Sequence, residues 1–82
     1  MVDKEIVKII VTLKSNAEFE IVTTSYEVDN FNKRYHKYIE GLCARTDNYR
    51  VLYLNNHVFI ASEIAAYYAI DMSGKPYKLK RP

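Results

Sequence analysis

The chain has 82 residues, of which 49% are hydrophobic and 27% are charged, a composition typical of one ordered domain with a modest core and not of a disordered chain. The single cysteine, Cys43, excludes a disulfide within the chain, and neither a signal-peptide pattern nor the ~20 consecutive apolar residues of a membrane-spanning helix is present, so we expect a cytoplasmic protein. Residues 73–82 hold four of the 12 basic side chains and none of the 10 acidic ones, so a nucleic-acid argument from net charge would depend on this tail alone.

Two strands and a helix are predicted in the first half of the chain. Apolar and polar side chains alternate from Ile6 to Leu13 and again from Glu18 to Thr23, which is the spacing of half-buried strands in a hairpin. At Thr24 the period changes. Thr24 and Glu27 have the spacing of a capping box, and one apolar face then continues from Val28 to Leu42, as in an amphipathic helix.

The second half of the chain predicts a hairpin and one further strand. Residues 49–54 and 57–61 are apolar and β-prone, and the two asparagines between them favour a tight turn because Asn tolerates positive φ well. Residues 65–71 permit two interpretations. We favour a strand because a helix here would lack a polar face, but Ser62 as an N-cap and Gly74 followed by Pro76 favour a helix.

The predicted fold class is α+β, with the element order β-β-α-β-β-β. A strongly curved antiparallel sheet or small barrel with one helix packed on it would occupy residues 1–72, and residues 73–82 would form a basic tail with a short edge strand at Tyr77 to Lys80. Several strands are apolar on both faces, and one helix covers only one face of a sheet. We therefore expect the chain to form a homo-oligomer. The candidate self-association residues are Ile10, Val22, Leu52 and Phe59.

Two resemblances to known families follow from this layout. Residues 58–70 run as strand, tight turn, single Ile64 and strand, which resembles the last two strands of an Sm-like barrel and implies ring assembly and an RNA pocket. Sm-like proteins, however, carry an Arg-Gly or Lys-Gly pair at that turn, where this chain has Ala61-Ser62-Glu63, and they place their helix before the first strand. Over nearly the whole chain, the layout resembles small accessory proteins of Gram-positive phages and mobile elements, which implies an accessory role in phage biology or interference with host defence.

The sequence carries little catalytic or metal-binding chemistry. A nucleophilic site would need Cys43 or a serine beside His36 or His57. Cys43, however, follows an apolar helical residue, where cysteine is usually a small hydrophobe. The histidines and the cysteine lack a recognised metal-ligand spacing, and the two glycines are isolated, which excludes a phosphate-binding loop. We therefore expect no enzymatic activity, no metal and no cofactor.

Two binding functions remain. The first is a non-enzymatic, self-associating interaction module with an unknown protein partner, because tyrosine-rich surfaces suit interfaces. The alternative is a module that holds single-stranded RNA or DNA by stacking bases on tyrosines beside the basic tail, although Tyr35, Tyr38 and Tyr53 are expected to complete the core. The candidate contacts for a partner or a nucleic acid are Tyr49, Arg50, Tyr67, Tyr68, Lys75, Tyr77, Lys78, Lys80 and Arg81.

Overall fold

The computed structural model describes residues 5–41 and 50–79. The elements, in chain order, are β1 (Ile6–Leu13), β2 (Glu18–Thr24), α1 (Ser25–Ile39), β3 (Val51–Leu54), β4 (His57–Ile60), a 3-10 turn (Ala61–Glu63), β5 (Ile64–Asp71) and β6 (Pro76–Tyr77). The predicted α+β class and the strand and helix order are confirmed. The strand interpretation of residues 65–71 is confirmed as well, whereas the edge strand predicted at Tyr77 to Lys80 is shorter and begins one residue earlier.

The strands form two antiparallel sheets and not one. β2, β1, β5 and β6 lie side by side in that order, while β3 and β4 pair with each other as a separate hairpin. The 3-10 turn after β4 redirects the chain, so β5 pairs with β1 and not with β4, the strand before it in sequence. Within the described residues the sheets are neither closed nor strongly curled, and the prediction of a curved sheet or barrel was wrong.

The core lies between α1 and the inner face of the four-stranded sheet. β1 is a central strand, and its alternate residues Val7, Ile9 and Val11 are completely buried. They join Val28 and Phe31 of α1 in one hydrophobic cluster, in which each large apolar side chain contributes roughly 1.5–3 kcal/mol by leaving water. The period of two in the sequence of β1 therefore decides which face of the sheet the helix covers.

The ends of α1 follow from two local features. The hydroxyl of Thr24 accepts a hydrogen bond from the N–H of Glu27 at 3.3 Å, as the capping-box pattern predicted. The helix ends at Ile39, and Gly41 has a φ of +79°, the left-handed conformation in which helices commonly end. Ile39 is exposed although it was assigned to the apolar face, and Leu42 lies outside the described residues.

The β3–β4 hairpin is attached to β2 through its turn. Asn55 has a φ of +53°, which confirms the tight turn predicted from the paired asparagines. The side-chain amide of Asn55 donates to the carbonyl of Val22 at 3.0 Å, and its Oδ1 accepts from the hydroxyl of Thr23 at 2.9 Å. These two hydrogen bonds connect the separate hairpin to the edge of the four-stranded sheet, and Leu52, Leu54 and Phe59 join the common core.

Candidate interaction surfaces

The face of the four-stranded sheet that points away from α1 is the first candidate surface, and we call it the outer sheet face. The strand registers place both apolar and polar or small side chains on this side of the sheet. The apolar ones are Ile6, Ile10, Val22, Tyr68 and Ile70, and the others are Lys8, Thr12, Glu18, Glu20, Thr24 and Ala66. Ile10 at its centre is only 3% exposed, whereas Ile6, Val22 and Tyr68 around it are each about half exposed. The apolar rim of this face, formed by these three residues, is therefore in contact with solvent.

Two of the charged groups on the outer sheet face form an ion pair with each other. Lys8 Nζ lies 3.5 Å from Glu20 Oε1 across β1 and β2. An exposed ion pair of this kind contributes only about 0–1 kcal/mol to stability. The apolar side chains around this ion pair therefore contribute more to the properties of the face than the pair does.

Tyr67 and Tyr68, both candidate contacts, lie on opposite faces of β5. Tyr68 is opposite Ile10 on the outer sheet face, and Tyr67 is opposite the buried Val11. The Tyr67 hydroxyl donates to Asn32 Oδ1 at 2.6 Å, and burial, together with the neighbouring Tyr35, raises the pKa of the Tyr67 hydroxyl. Tyr67 therefore belongs to the interface between α1 and β5, and only Tyr68 is available to a partner.

Tyr77 is also directed toward the helix and not toward solvent. It lies opposite Ala69 on β5, half buried, and its hydroxyl donates to the two carboxylate oxygens of Asp29 at 3.3 and 3.2 Å. Partial burial and the negative charge of Asp29 raise the pKa of the Tyr77 hydroxyl. Tyr77 thus joins β6 to α1, and the structure does not place it for stacking on a base.

The remaining candidate contacts are dispersed or lie outside the described residues. Arg50, Lys75 and Lys78 are exposed, with Arg50 before β3 and the two lysines on either side of β6. The predicted platform of tyrosines beside a basic tail is therefore not assembled among the described residues. Tyr49, Lys80 and Arg81 lie outside those residues.

Three of the four candidate self-association residues are covered by the chain itself. Ile10, Leu52 and Phe59 are at most 5% exposed, and Val22 is 51% exposed. Leu52 and Phe59 are buried because the turn at Asn55 fixes the hairpin register, and the side-chain period of two then turns these residues inward. The opposite face of the hairpin, which we call the hairpin face, carries the half-buried Val51 and the exposed Tyr53, Val58 and Ile60.

A basic groove between α1 and β3 was not among the predictions from the sequence. Its volume is about 510 Å³, and its lining includes three cations and one carboxylate of α1 together with an aromatic ring of β3. These residues are Lys33, Arg34, Lys37, Glu27 and Tyr53. Tyr53 was expected in the core but is 58% exposed. The three cations lie close together on the helix surface because Lys37 is four residues after Lys33 and three after Arg34, and residues three and four apart share a side of a helix. Their spacing in sequence was visible, but the aromatic side chain beside them depends on the hairpin register.

Residues 5–41 and 50–79 contain no group of three or more His, Cys, Asp or Glu side chains close enough to hold a metal ion. No helix in that part of the chain has the length and apolar character needed to cross a membrane. Comparison of the chain with protein-family models, with curated proteins and with solved structures finds no match.

Proposed function

We propose that this chain is a non-enzymatic interaction module that self-associates by packing the outer sheet faces of two copies against each other. The observation that supports this proposal is the uncovered apolar rim of that face. A sheet with one solvent-facing side normally presents polar side chains there, whereas Ile6, Val22 and Tyr68 are exposed around the buried Ile10. An accessory role in a phage or mobile element stays a prediction that rests on the resemblance alone.

The test of self-association compares two valines on two different surfaces. Val22, on the outer sheet face, is 51% exposed, and Val58, on the hairpin face, is 60% exposed. Because both are exposed strand residues, replacement by Lys should change the free energy of unfolding by only about 0.5 kcal/mol or less. We expect light scattering at tens of micromolar to give a dimer mass for the wild type and for Val58→Lys, and a monomer mass for Val22→Lys.

Two results would reject the outer sheet face as the interface. A monomer mass for the wild-type chain would reject self-association itself. Dissociation by Val58→Lys but not by Val22→Lys would transfer the interface to the hairpin face. Thermal unfolding of both variants, measured alongside, separates loss of association from loss of the fold.

A second candidate function is supported by the basic groove. Lys33, Arg34 and Lys37 beside the exposed ring of Tyr53 combine the positive charge and the stacking surface that bind single-stranded nucleic acids without sequence preference. The measurement is fluorescence anisotropy of a labelled oligothymidylate over a range of salt concentrations. We expect Lys33→Gln to reduce the salt slope by about 0.7 for one lost phosphate contact, whereas Lys14→Gln, in the β1–β2 turn, leaves it unchanged. Binding that is absent or insensitive to salt would reject this function.

A further inference from the structure

Two strand edges border a groove on the side of the molecule where the hairpin meets the four-stranded sheet. Within the described residues, β2 pairs only with β1, and β4 pairs only with β3. A groove of about 240 Å³ lies between β4 and the beginning of β2, and we call it the edge groove. Of its lining residues, Phe59 is buried and Leu13 is half-buried, and the exposed ones are Phe19, His57, Val58, Ile60 and Glu63.

The main chain of β4 directs hydrogen-bonding groups toward this side. The N–H of Ala61 donates to the carbonyl of Arg50 at 2.8 Å, which continues the β3–β4 register by one pair. Hydrogen-bonded and non-hydrogen-bonded pairs alternate in an antiparallel ladder, so Phe59 is bonded to β3, and Val58 and Ile60 are not. The N–H and C=O groups of Val58 and Ile60 therefore point away from β3.

The edge of β2 also has main-chain groups that point away from its neighbouring strand. The side-chain amide of Asn55 donates to the carbonyl of Val22 at 3.0 Å, so this carbonyl points away from β1. Alternate residues of a strand direct their main-chain groups to the same side, so the N–H and C=O groups of Glu18 and Glu20 also point away from β1. Asn55 is hydrogen-bonded to the carbonyl of Val22 near the end of β2, and the groups of Glu18 and Glu20 lie farther along the same edge.

The aromatic side chains of the edge groove form an apolar base. The rings of Phe19 and Phe59 meet edge to face with their centroids 5.7 Å apart, and Phe59 is also in edge-to-face contact with Phe31 of the core, at 6.2 Å. The base of the groove is thus continuous with the core and fixed in position. Glu63 is the carboxylate in its lining, and Glu18 directly precedes Phe19 at the rim.

We propose that the edge groove binds an extended segment of a partner protein, which adds a strand beside β4. The outward N–H and C=O groups of Val58 and Ile60 fit the main chain of such a segment. Its alternate apolar side chains would lie over Phe19 and Phe59, and a Lys or Arg would lie beside Glu63. The groove lining contains the carboxylate of Glu63 and no Lys or Arg side chain, so its charge favours a basic partner segment. The inference rests on the proposed interaction function but uses a different surface.

The first experiment identifies the segment. A phage-displayed library of linear octapeptides is selected on the full chain, and the most enriched peptide is synthesised with a fluorescent label. We expect the enriched peptides to alternate apolar residues with polar ones and to carry Lys or Arg near one end. Enrichment of acidic peptides, or no enrichment at all, would overturn the inference.

The second experiment tests the main-chain contact. Ile60 has a φ of −89°, about 10° beyond the −65 ± 15° that proline imposes, so Ile60→Pro removes the outward N–H with a small backbone adjustment. Ile60→Val is the matched control, because Val and Pro have the same number of side-chain carbons and Val keeps the N–H. We expect Ile60→Pro to weaken binding of the labelled peptide about tenfold beyond Ile60→Val, as for one lost hydrogen bond. Equal affinities for the two variants would overturn strand addition.

The third experiment tests the charge. Glu63→Gln should weaken binding about two- to fivefold, the range of an exposed ion pair, while Glu40→Gln, at the end of α1, should leave it unchanged. An equal loss of affinity for both variants would show an effect of net charge alone and overturn the proposed position of the cation.

The mass of the chain without peptide is measured separately. Peptide binding by a monomeric chain would reject self-association and keep this inference, whereas a dimer that selects no peptide would do the reverse.

Discussion

The hydroxyl of Tyr67 and the side-chain carbonyl of Asn32 form a 2.6 Å hydrogen bond that joins β5 to α1 inside the molecule. The ring of Tyr67 is also in edge-to-face contact with Phe31 and with Tyr35, with ring centroids 5.0 and 5.2 Å apart. Asn32 is a buried polar residue, and burial of an amide requires such a partner. The pair therefore fixes the position of the helix on the sheet through one polar contact within an aromatic cluster.

Removal of this hydroxyl should destabilise the fold. In Tyr67→Phe the ring contacts remain, but Asn32 loses the donor, which should lower the free energy of unfolding by about 1–2 kcal/mol. Tyr68→Phe is the matched control, because Tyr68 is the next residue and lies on the outer sheet face. Urea unfolding followed by circular dichroism gives both values. Equal stability of the two variants would contradict the assigned role of Tyr67.

Stability should also fall in alkaline solution. Burial raises the pKa of Tyr67 above its ordinary value of 10.0, and the pKa of Tyr77 is raised as well, by partial burial and by Asp29. The unfolded chain then loses these protons first, so the stabilisation is complete below pH 10.0 and is lost as the pH rises from there through the folded pKa values. Urea unfolding at several pH values should show this decline, and a smaller one in Tyr67→Phe. An identical decline in the variant would assign the effect to other groups.

The sequence contained enough information to predict most of the strands and the helix. The period of two in β1 and the capping residues Thr24 and Glu27 act locally, and each determines its element without the rest of the chain. The strand at β5 was predicted for a similar reason, since a helix there would have had no polar face. Local chemistry of this kind can be recognised in a single sequence.

The exposure of the hairpin residues could not be predicted in the same way. Leu52 and Tyr53 are both apolar neighbours on β3, and only the packing of the hairpin against the core decides that Leu52 is buried and Tyr53 exposed. That packing depends on the contact of Asn55 with β2, which joins residues more than 30 positions apart. The basic groove and the edge groove were missed because both lie between elements that tertiary contacts bring together.

The turn between β5 and β6 should depend on one carboxylate. Oδ1 of Asp71 accepts from the Ser73 hydroxyl at 2.7 Å and from the N–H groups of Ser73 and Lys75, each at 2.9 Å. These hydrogen bonds, with that of the Ser73 hydroxyl first, hold the pKa of Asp71 below its ordinary value of 3.8. The stabilisation is therefore complete above pH 3.8 and is lost as the pH falls through the lower folded pKa.

The measurement for this turn is amide hydrogen exchange. We expect the Lys75 amide to exchange faster in Asp71→Ala than in Asp71→Asn, because Asn keeps an oxygen acceptor at the Oδ1 position. Acidification of the wild-type chain below the folded pKa should accelerate exchange at Lys75 relative to amides of β1. Equal protection of Lys75 in both variants would show that β6 holds the turn without Asp71.

The attachment of the hairpin to β2 should depend on Asn55 in two separable ways. Asn55 has a φ of +53°, and its side chain bonds to Val22 and Thr23. Asn55→Gly keeps the left-handed backbone and loses the bonds, at a cost of about 1–3 kcal/mol in free energy of unfolding. Asn55→Ala loses the same bonds and adds about 1–2 kcal/mol of backbone strain. Urea unfolding of the two variants therefore separates the loss of the hydrogen bonds from the backbone strain. We expect the Ala variant to be the less stable, and the reverse order would contradict the left-handed turn.

Because the edge groove lies between the two parts that Asn55 connects, Asn55→Gly should also weaken octapeptide binding. The control is Asn30→Gly, on an exposed position of α1, which should lower stability through helix propensity and leave peptide affinity unchanged.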